Sequence, residues 1–204
     1  QKVNVGRLMV TGVEIDLRQV AQGATTTTTS VKAGTPAAMP PFEGLLKAAQ
    51  LPVDLVLAQL SAQGKTLLPE GREVTFDVQG SDIATGRTGT VKWTTIYQDP
   101  LVGADVQSVR NEGTMSIRLT ADRKVEQVEI DAMTSLTGPK LPSDRVRAQV
   151  TAEAVGGRET YAATISLLRG ASATAKAETL LSSQAAFDPA TKSIDGSWEL
   201  ATRT

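Results

Sequence analysis

The stretch Arg145–Leu168, "RVRAQVTAEAVGGRETYAATISLL", decides the fold. Val146, Ala148, Val150, Ala152 and Ala154 alternate with Arg147, Gln149, Thr151 and Glu153. A period of two places every other side chain on the same face of a strand. Gly156 and Gly157 follow, and a two-residue primed turn needs φ > 0 at both of its central positions, which glycine meets without steric cost. From Thr160 to Leu168 the alternation returns through Tyr161, Ala163, Ile165 and Leu167. The stretch reads as a hairpin with one apolar and one polar face.

The pattern extends in both directions. Val74, Phe76 and Val78 share a face of 73–79, and Val91, Trp93 and Tyr97 share one of 90–97, with the turn-rich "GSDIATGRTG" between them. Met115, Ile117 and Leu119 follow in 114–120, "ADRK" turns the chain, and Val128, Ile130 and Ala132 then alternate with Gln127, Glu129 and Asp131. Strands over 171–180 and 193–201 complete a meander spanning 72–204, the last carrying Ile194, Trp198 and Leu200 on one face. Upstream, residues 1–34 read as N-terminal strands, with Gly12 as a bulge in a long strand holding Val3, Val5, Leu8, Val10, Val13 and Ile15. The run Thr25–Thr29 is β-branched and favours extended backbone. It reads as a strand pairing back on 11–19, with a Ser/Thr stalk as the alternative. Residues 35–41 form a Pro-containing linker.

Residues 42–64 have a different period. Leu45, Leu46 and Ala49 fit one helical stripe, Val53, Val56, Leu57 and Leu60 fit another, and Pro52 lies between. This predicts one kinked helix or two short helices, ended by Gly64 and packed on the sheet. The expected fold is mainly β (α+β). It is an antiparallel β-meander of about eight or more strands, curved into a half-barrel or open barrel with the helical segment against it, all within a single domain over 1–204.

Composition narrows the function. Apolar residues are 40% and aromatic residues 3%, so the core is built from aliphatic side chains. Lys+Arg total 21 and Asp+Glu 22, with no block of like charge, which argues against a nucleic-acid footprint or a polybasic membrane anchor. There is no histidine and no cysteine. Ser-His-Asp chemistry, thiol catalysis and cysteine-based metal sites are therefore excluded within the chain. No apolar run approaches the roughly 18 residues of a spanning helix. Two Trp, two Tyr and three Phe are too few for the aromatic girdles of a membrane barrel, so no membrane-spanning role is expected.

The candidate chemical motifs are weak. Gly64-Lys65-Thr66 matches the tail of a phosphate-binding loop, but the expected helix precedes it and none follows, so it reads as a helix end. Ser61 and Lys65 have helical i, i+4 spacing, the geometry of a Ser-Lys pair. Glu126, Glu129 and Asp131 are close in sequence but alternate with core positions, so they read as a charged outer face partnered by Lys124, Arg145 and Arg147. Asp188 and Asp195 flank a turn rather than a calcium loop. No catalytic residue, metal ligand or cofactor is assigned.

The expectation is a non-enzymatic binding or structural module, exported to the periplasm or cell envelope after loss of a signal peptide. Its ligand would be an apolar or lipid-like molecule held between sheet and helix in a pocket lined by Leu57, Trp93, Ile130, Ile165 and Trp198. Two alternatives stand beside it. One is an assembly protein that pairs with another envelope protein through an edge strand. The other is a hydrolase using carboxylates or a Ser-Lys pair.

Overall fold

The computed structural model describes residues 2–18, 44–49, 51–139, 141, 144–169, 177–188 and 190–201. Ten strands form one open, curved sheet in sequence order. They are β1 (Lys2–Asp16), β2 (Asp54–Leu67), β3 (Glu73–Ala84), β4 (Thr88–Gln98), β5 (Ser108–Leu119), β6 (Val125–Thr137), β7 (Arg145–Val155), β8 (Arg158–Leu168), β9 (Ala177–Asp188) and β10 (Ser193–Leu200). Every neighbouring pair from β2 to β10 is antiparallel. β1 pairs with β2 in parallel, so the sheet is mixed rather than purely antiparallel.

The hairpin that announces the fold forms as expected. Val155 is registered with Arg158 across Gly156 (φ 59) and Gly157 (φ 85). Gly12 (φ 69) sits at the shift of register between Val10 and Val13, the bulge expected of β1. The connection 80–89 is shorter than its composition suggests, because β3 runs on to Ala84 and the chain turns only at Thr85-Gly86-Arg87. The threonine run Thr25–Thr29 and the linker 35–41 lie outside the described residues.

The helical segment expected over 42–64 is corrected. Among its described residues the one helical element is α1, Leu45–Ala48, and Asp54–Leu67 is strand β2. The Leu, Ala and Gln residues of this stretch are permissive for helix, and its apolar residues fit a helical stripe as well as a strand. Two long ladders decide between the two: β2 lies between β1 and β3, and backbone pairing on both sides outweighs a local preference of tenths of a kcal/mol per residue.

Rows of residues in register define an apolar face. One row runs Val78, Trp93, Gly113, Ala132, Ala148 and Ile165. The next runs Leu60, Gly80, Val91, Met115, Ile130 and Val150. Glycines seat the large side chains. A Cβ on Gly113 would lie 2.7 Å from Trp93 Cη2 and 2.8 Å from the Asp131 carbonyl oxygen, and one on Gly64 would lie 2.7 Å from Phe76 Cζ. Aromatic rings thus cover bare backbone on the adjacent strand. Gly113→Ala is expected to cost about 1–3 kcal/mol through displacement of the indole, read as a lowered urea midpoint with unchanged slope.

A strap crosses one end of this face. Gly44 lies against Glu159 on β8. Leu46 packs with Leu119, Val125, Ile83, Ile117 and Val128 in the main buried cluster. The Leu51 N–H donates to the Arg123 carbonyl at 2.9 Å, and the Leu55 N–H donates to Thr85 Oγ1 at 3.1 Å as the chain enters β2. The strap therefore leads from β8 across the β5–β6 turn to β2.

Candidate functional site

The apolar face combines registered rows of apolar side chains with exposed margins. Its centre is mostly half-buried, with Val150 on β7 38% exposed, and its margins are open: on β1, Leu8 is 43% and Val10 40% exposed, and on β10, Trp198 is 74% and Leu200 53% exposed. A sheet face rich in Val, Leu and Ile lowers its free energy by leaving water, by roughly 25 cal/mol per Å² of apolar surface removed. Four of the five expected pocket residues share this face. Trp93 and Ile165 lie in one row, and Ile130 and Trp198 lie in the next, the latter through Val150, Ala163 and Ser183. Leu57 is registered with Ile83, whose side chain overlies Gly80 and Gly89 near the strap. The five form a broad stripe from β2 to β10 and do not ring a cavity under a helix.

Within the stripe Trp93 is fixed by polar contacts. Its Nε1–H donates to Asn111 Oδ1 at 2.7 Å, and Asn111 Nδ2 donates to Thr134 Oγ1 at 2.8 Å. A half-buried indole N–H needs such a partner. The ring is thereby held against Gly113, in the space a side chain there would fill.

The strap is clasped by two side chains of β8. The Leu46 N–H donates to Glu159 Oε2 at 3.1 Å, the Leu45 N–H donates to the Tyr161 hydroxyl at 3.1 Å, and the Tyr161 hydroxyl itself donates to Glu159 Oε2. Glu159 is 5% exposed, a buried carboxyl satisfied by these donors. Gly44 has φ 98, and a Cβ there would lie 2.6 Å from Glu159 Oε2, so glycine is needed on both counts. Burial, followed by the Glu159 contact, pushes the Tyr161 hydroxyl up to about 12.

These shifts predict a pH profile. The Leu101 backbone N–H, ahead of Arg72, holds the Asp99 carboxyl below its ordinary value, and Arg147 does the same for Asp131. Both contributions are complete above the ordinary carboxylate range and are lost as pH falls through the lowered folded values. Tyr161 works in the opposite sense. Its contribution is complete below the ordinary tyrosine value of about 10 and is lost as pH rises through about 12. With no histidine, the urea midpoint is expected to stay level from about pH 5 to pH 9. Tyr161→Phe should flatten the alkaline fall. A fall of equal steepness in both proteins would remove Tyr161 from the clasp.

The opposite face is polar. Asp131 takes a forked contact from Arg147, with Nε at 2.8 Å from Oδ1, and Glu126 pairs with Arg118 rather than Lys124. A hollow of about 570 Å³ opens on this side, edged by Glu129, Glu153 and Asp195 together with Gln127, Gln184 and Thr151. Among the described residues, no three His, Cys, Asp or Glu are grouped so as to hold a metal ion. Gly64-Lys65-Thr66 is not a helix end but lies within β2, near its C-terminal end, where Phe76 is registered with Gly64 and Lys65 pairs with Glu14 at 3.2 Å. Ser61 and Lys65 are four residues apart on a strand, which separates their Cα atoms by about 13 Å. The Ser-Lys geometry existed only on the expected helix. Asp188 holds its turn, accepting from the Ala190 N–H at 2.9 Å.

Glu159 was missed in the sequence reading, although it left a signal. It falls in phase with Tyr161, Ala163 and Ile165, a carboxylate at a core-facing position one strand period before an aromatic residue. The chain matches no known family model, no curated protein and no solved structure.

Proposed function

We propose that the protein is a non-enzymatic binding module of the cell envelope. In this reading the open apolar face holds an apolar or lipid-like ligand along the stripe from Leu60 to Trp198. The observation that carries it is the exposure of that face at both margins of the sheet, including a tryptophan 74% open to solvent. An elongated acyl chain suits a long stripe better than a compact molecule does, because it can be covered strand by strand. The strap supports the reading by closing one end of the face with Leu46, and the polar ladder supports it by orienting Trp93. The engagement of Asp131 by Arg147 and the separation of Ser61 from Lys65 favour binding over hydrolysis. No helix among the described residues is long and apolar enough to cross a membrane.

The test is native mass spectrometry of gently purified protein, followed by solvent extraction and titration with a fatty acid. A co-purifying species of lipid mass and a blue-shifted tryptophan emission on titration are expected. Bare protein mass with no spectral response to fatty acid would overturn the reading.

A further inference from the structure

Among the described residues strand β1 is an edge: β2 is its only neighbour, and its outer row of N–H and C=O groups meets no other described strand. It is 15 residues long and contains no proline. Its apolar side chains are open to solvent, with Val3 at 40%, Leu8 at 43%, Met9 at 51%, Val10 at 40% and Ile15 at 46%. A long apolar edge of this kind is a template for another strand.

The sequence of β1 identifies that strand. About Met9 its apolar residues and glycines fall symmetrically: Leu8 mirrors Val10, Gly6 mirrors Gly12, Val5 mirrors Val13 and Val3 mirrors Ile15, while Arg7 falls opposite Thr11, Asn4 opposite Glu14, and Lys2 opposite the oppositely charged Asp16. The face assignment is symmetric as well. Val3 and Val5 are registered with Leu55 and Leu57, Leu8 and Val10 with Leu60 and Ala62, and Val13 and Ile15 with Gly64 and Thr66. Between Val5 and Arg7 the offset to β2 does not change, but Gly6 and Ala58 drop out of the pairing, Asp82 on β3 has φ 56, and Ile83 lies over Gly80 and Gly89, which puts Ile83 and its registered partners Leu57 and Val5 on the face of Leu60. The offset itself changes at Thr11–Gly12, on the other side of Met9.

We infer that two copies of the chain pair antiparallel through β1, about a two-fold axis beside Met9. Apolar then meets apolar at Val3/Ile15, Val5/Val13, Leu8/Val10 and Met9/Met9. The two irregularities lie opposite each other, and Lys2 meets Asp16, which also carries its own Arg18. The axis stands perpendicular to the sheet, so both apolar faces stay on the same side and become continuous. A cross-strand pair of matched residues is the unit of sheet stabilisation, and a self-complementary patch is what a closed two-fold interface requires. A Cβ on Gly6 or Gly12 would meet nothing within 4 Å in the single chain, so the edge has room for a neighbour there. The opposite edge does not offer the same match: pairing β10 with itself so that Ile194 meets Leu200 sets Asp195 against Glu199. The pairing needs only the β1 edge and stands whether or not the apolar face carries a ligand.

The chain has no cysteine, so single thiols report the register directly. Met9→Cys is expected to form a disulfide-linked dimer under mild oxidation, since the two positions face each other across the axis. Val3→Cys is expected not to, because the two copies of residue 3 lie about 40 Å apart along the paired strands. Wild-type protein should sediment as a dimer. Leu8→Lys and Val10→Glu should each lose the dimer while keeping a native circular dichroism spectrum, because each variant brings two like charges together beside the axis. An equimolar mixture should recover a one-to-one dimer, the introduced lysine facing the introduced glutamate. Wild-type protein that stays monomeric up to about 1 mM would overturn the inference. So would equal cross-linking of the two thiol variants, or a mixture that stays monomeric beside a dimeric wild type.

Discussion

Phe187→Ala is expected to lower the unfolding free energy by about 4 kcal/mol. Phe187 is 2% exposed and is the largest fully buried side chain among the described residues, although it belongs to β9, next to the last described strand. It is registered with Glu159 on β8 and with Ile194 on β10. Truncation removes a whole ring from a closed environment and leaves a void that the backbone ladders on both sides prevent from collapsing. The comparison is Trp198→Ala on β10, a larger side chain that is 74% exposed, expected to cost less than about 1 kcal/mol. Urea unfolding with an unchanged slope gives both values. If the two costs are equal, the β9–β10 end is not part of the cooperative unit.

The second large effect is expected at the clasp. Glu159→Ala should cost about 3 kcal/mol, because the Leu46 N–H and the Tyr161 hydroxyl lose a buried acceptor that water cannot readily replace. Glu159→Gln keeps an acceptor oxygen and should cost roughly half as much. Leu46→Ala should also cost about 3 kcal/mol, by leaving a cavity among Leu119, Val125 and Ile117. The two losses are not independent. Once the clasp is cut the strap no longer holds Leu46 in place, so the double variant should fall short of the sum by more than about 1 kcal/mol. Strict additivity in that cycle would mean that Leu46 is seated by its own packing, without the carboxylate.

Alternation and turn chemistry were legible because both are local. The residues that make β7 and β8 apolar on one side are two apart, and the glycines that turn the chain lie between them. Faces could be assigned for the same reason, and Trp93, Ile130, Ile165 and Trp198 do share one. Their distance from one another could not be read, because it depends on how many strands intervene. A pocket inferred from a shared face became a stripe when the strand order placed β5, β7 and β9 between them.

What the sequence by itself determined is the β-meander from Glu73 onward, its apolar and polar sides, the bulge at Gly12 and the absence of histidine and thiol chemistry. What only the tertiary structure decided is the role of residues 44–67 and the direction of β1. Asp54–Leu67 carries a pattern compatible with helix, and it becomes a strand because β1 and β3 lie on either side of it. Both partners are contacts whose worth no local window contains. The parallel pairing of β1 with β2 has the same origin. A parallel pair needs a crossover of a dozen or more residues, and the strap supplies the end of that crossover only because Glu159 and Tyr161, more than a hundred residues downstream in the chain, hold Leu45 and Leu46 across the sheet.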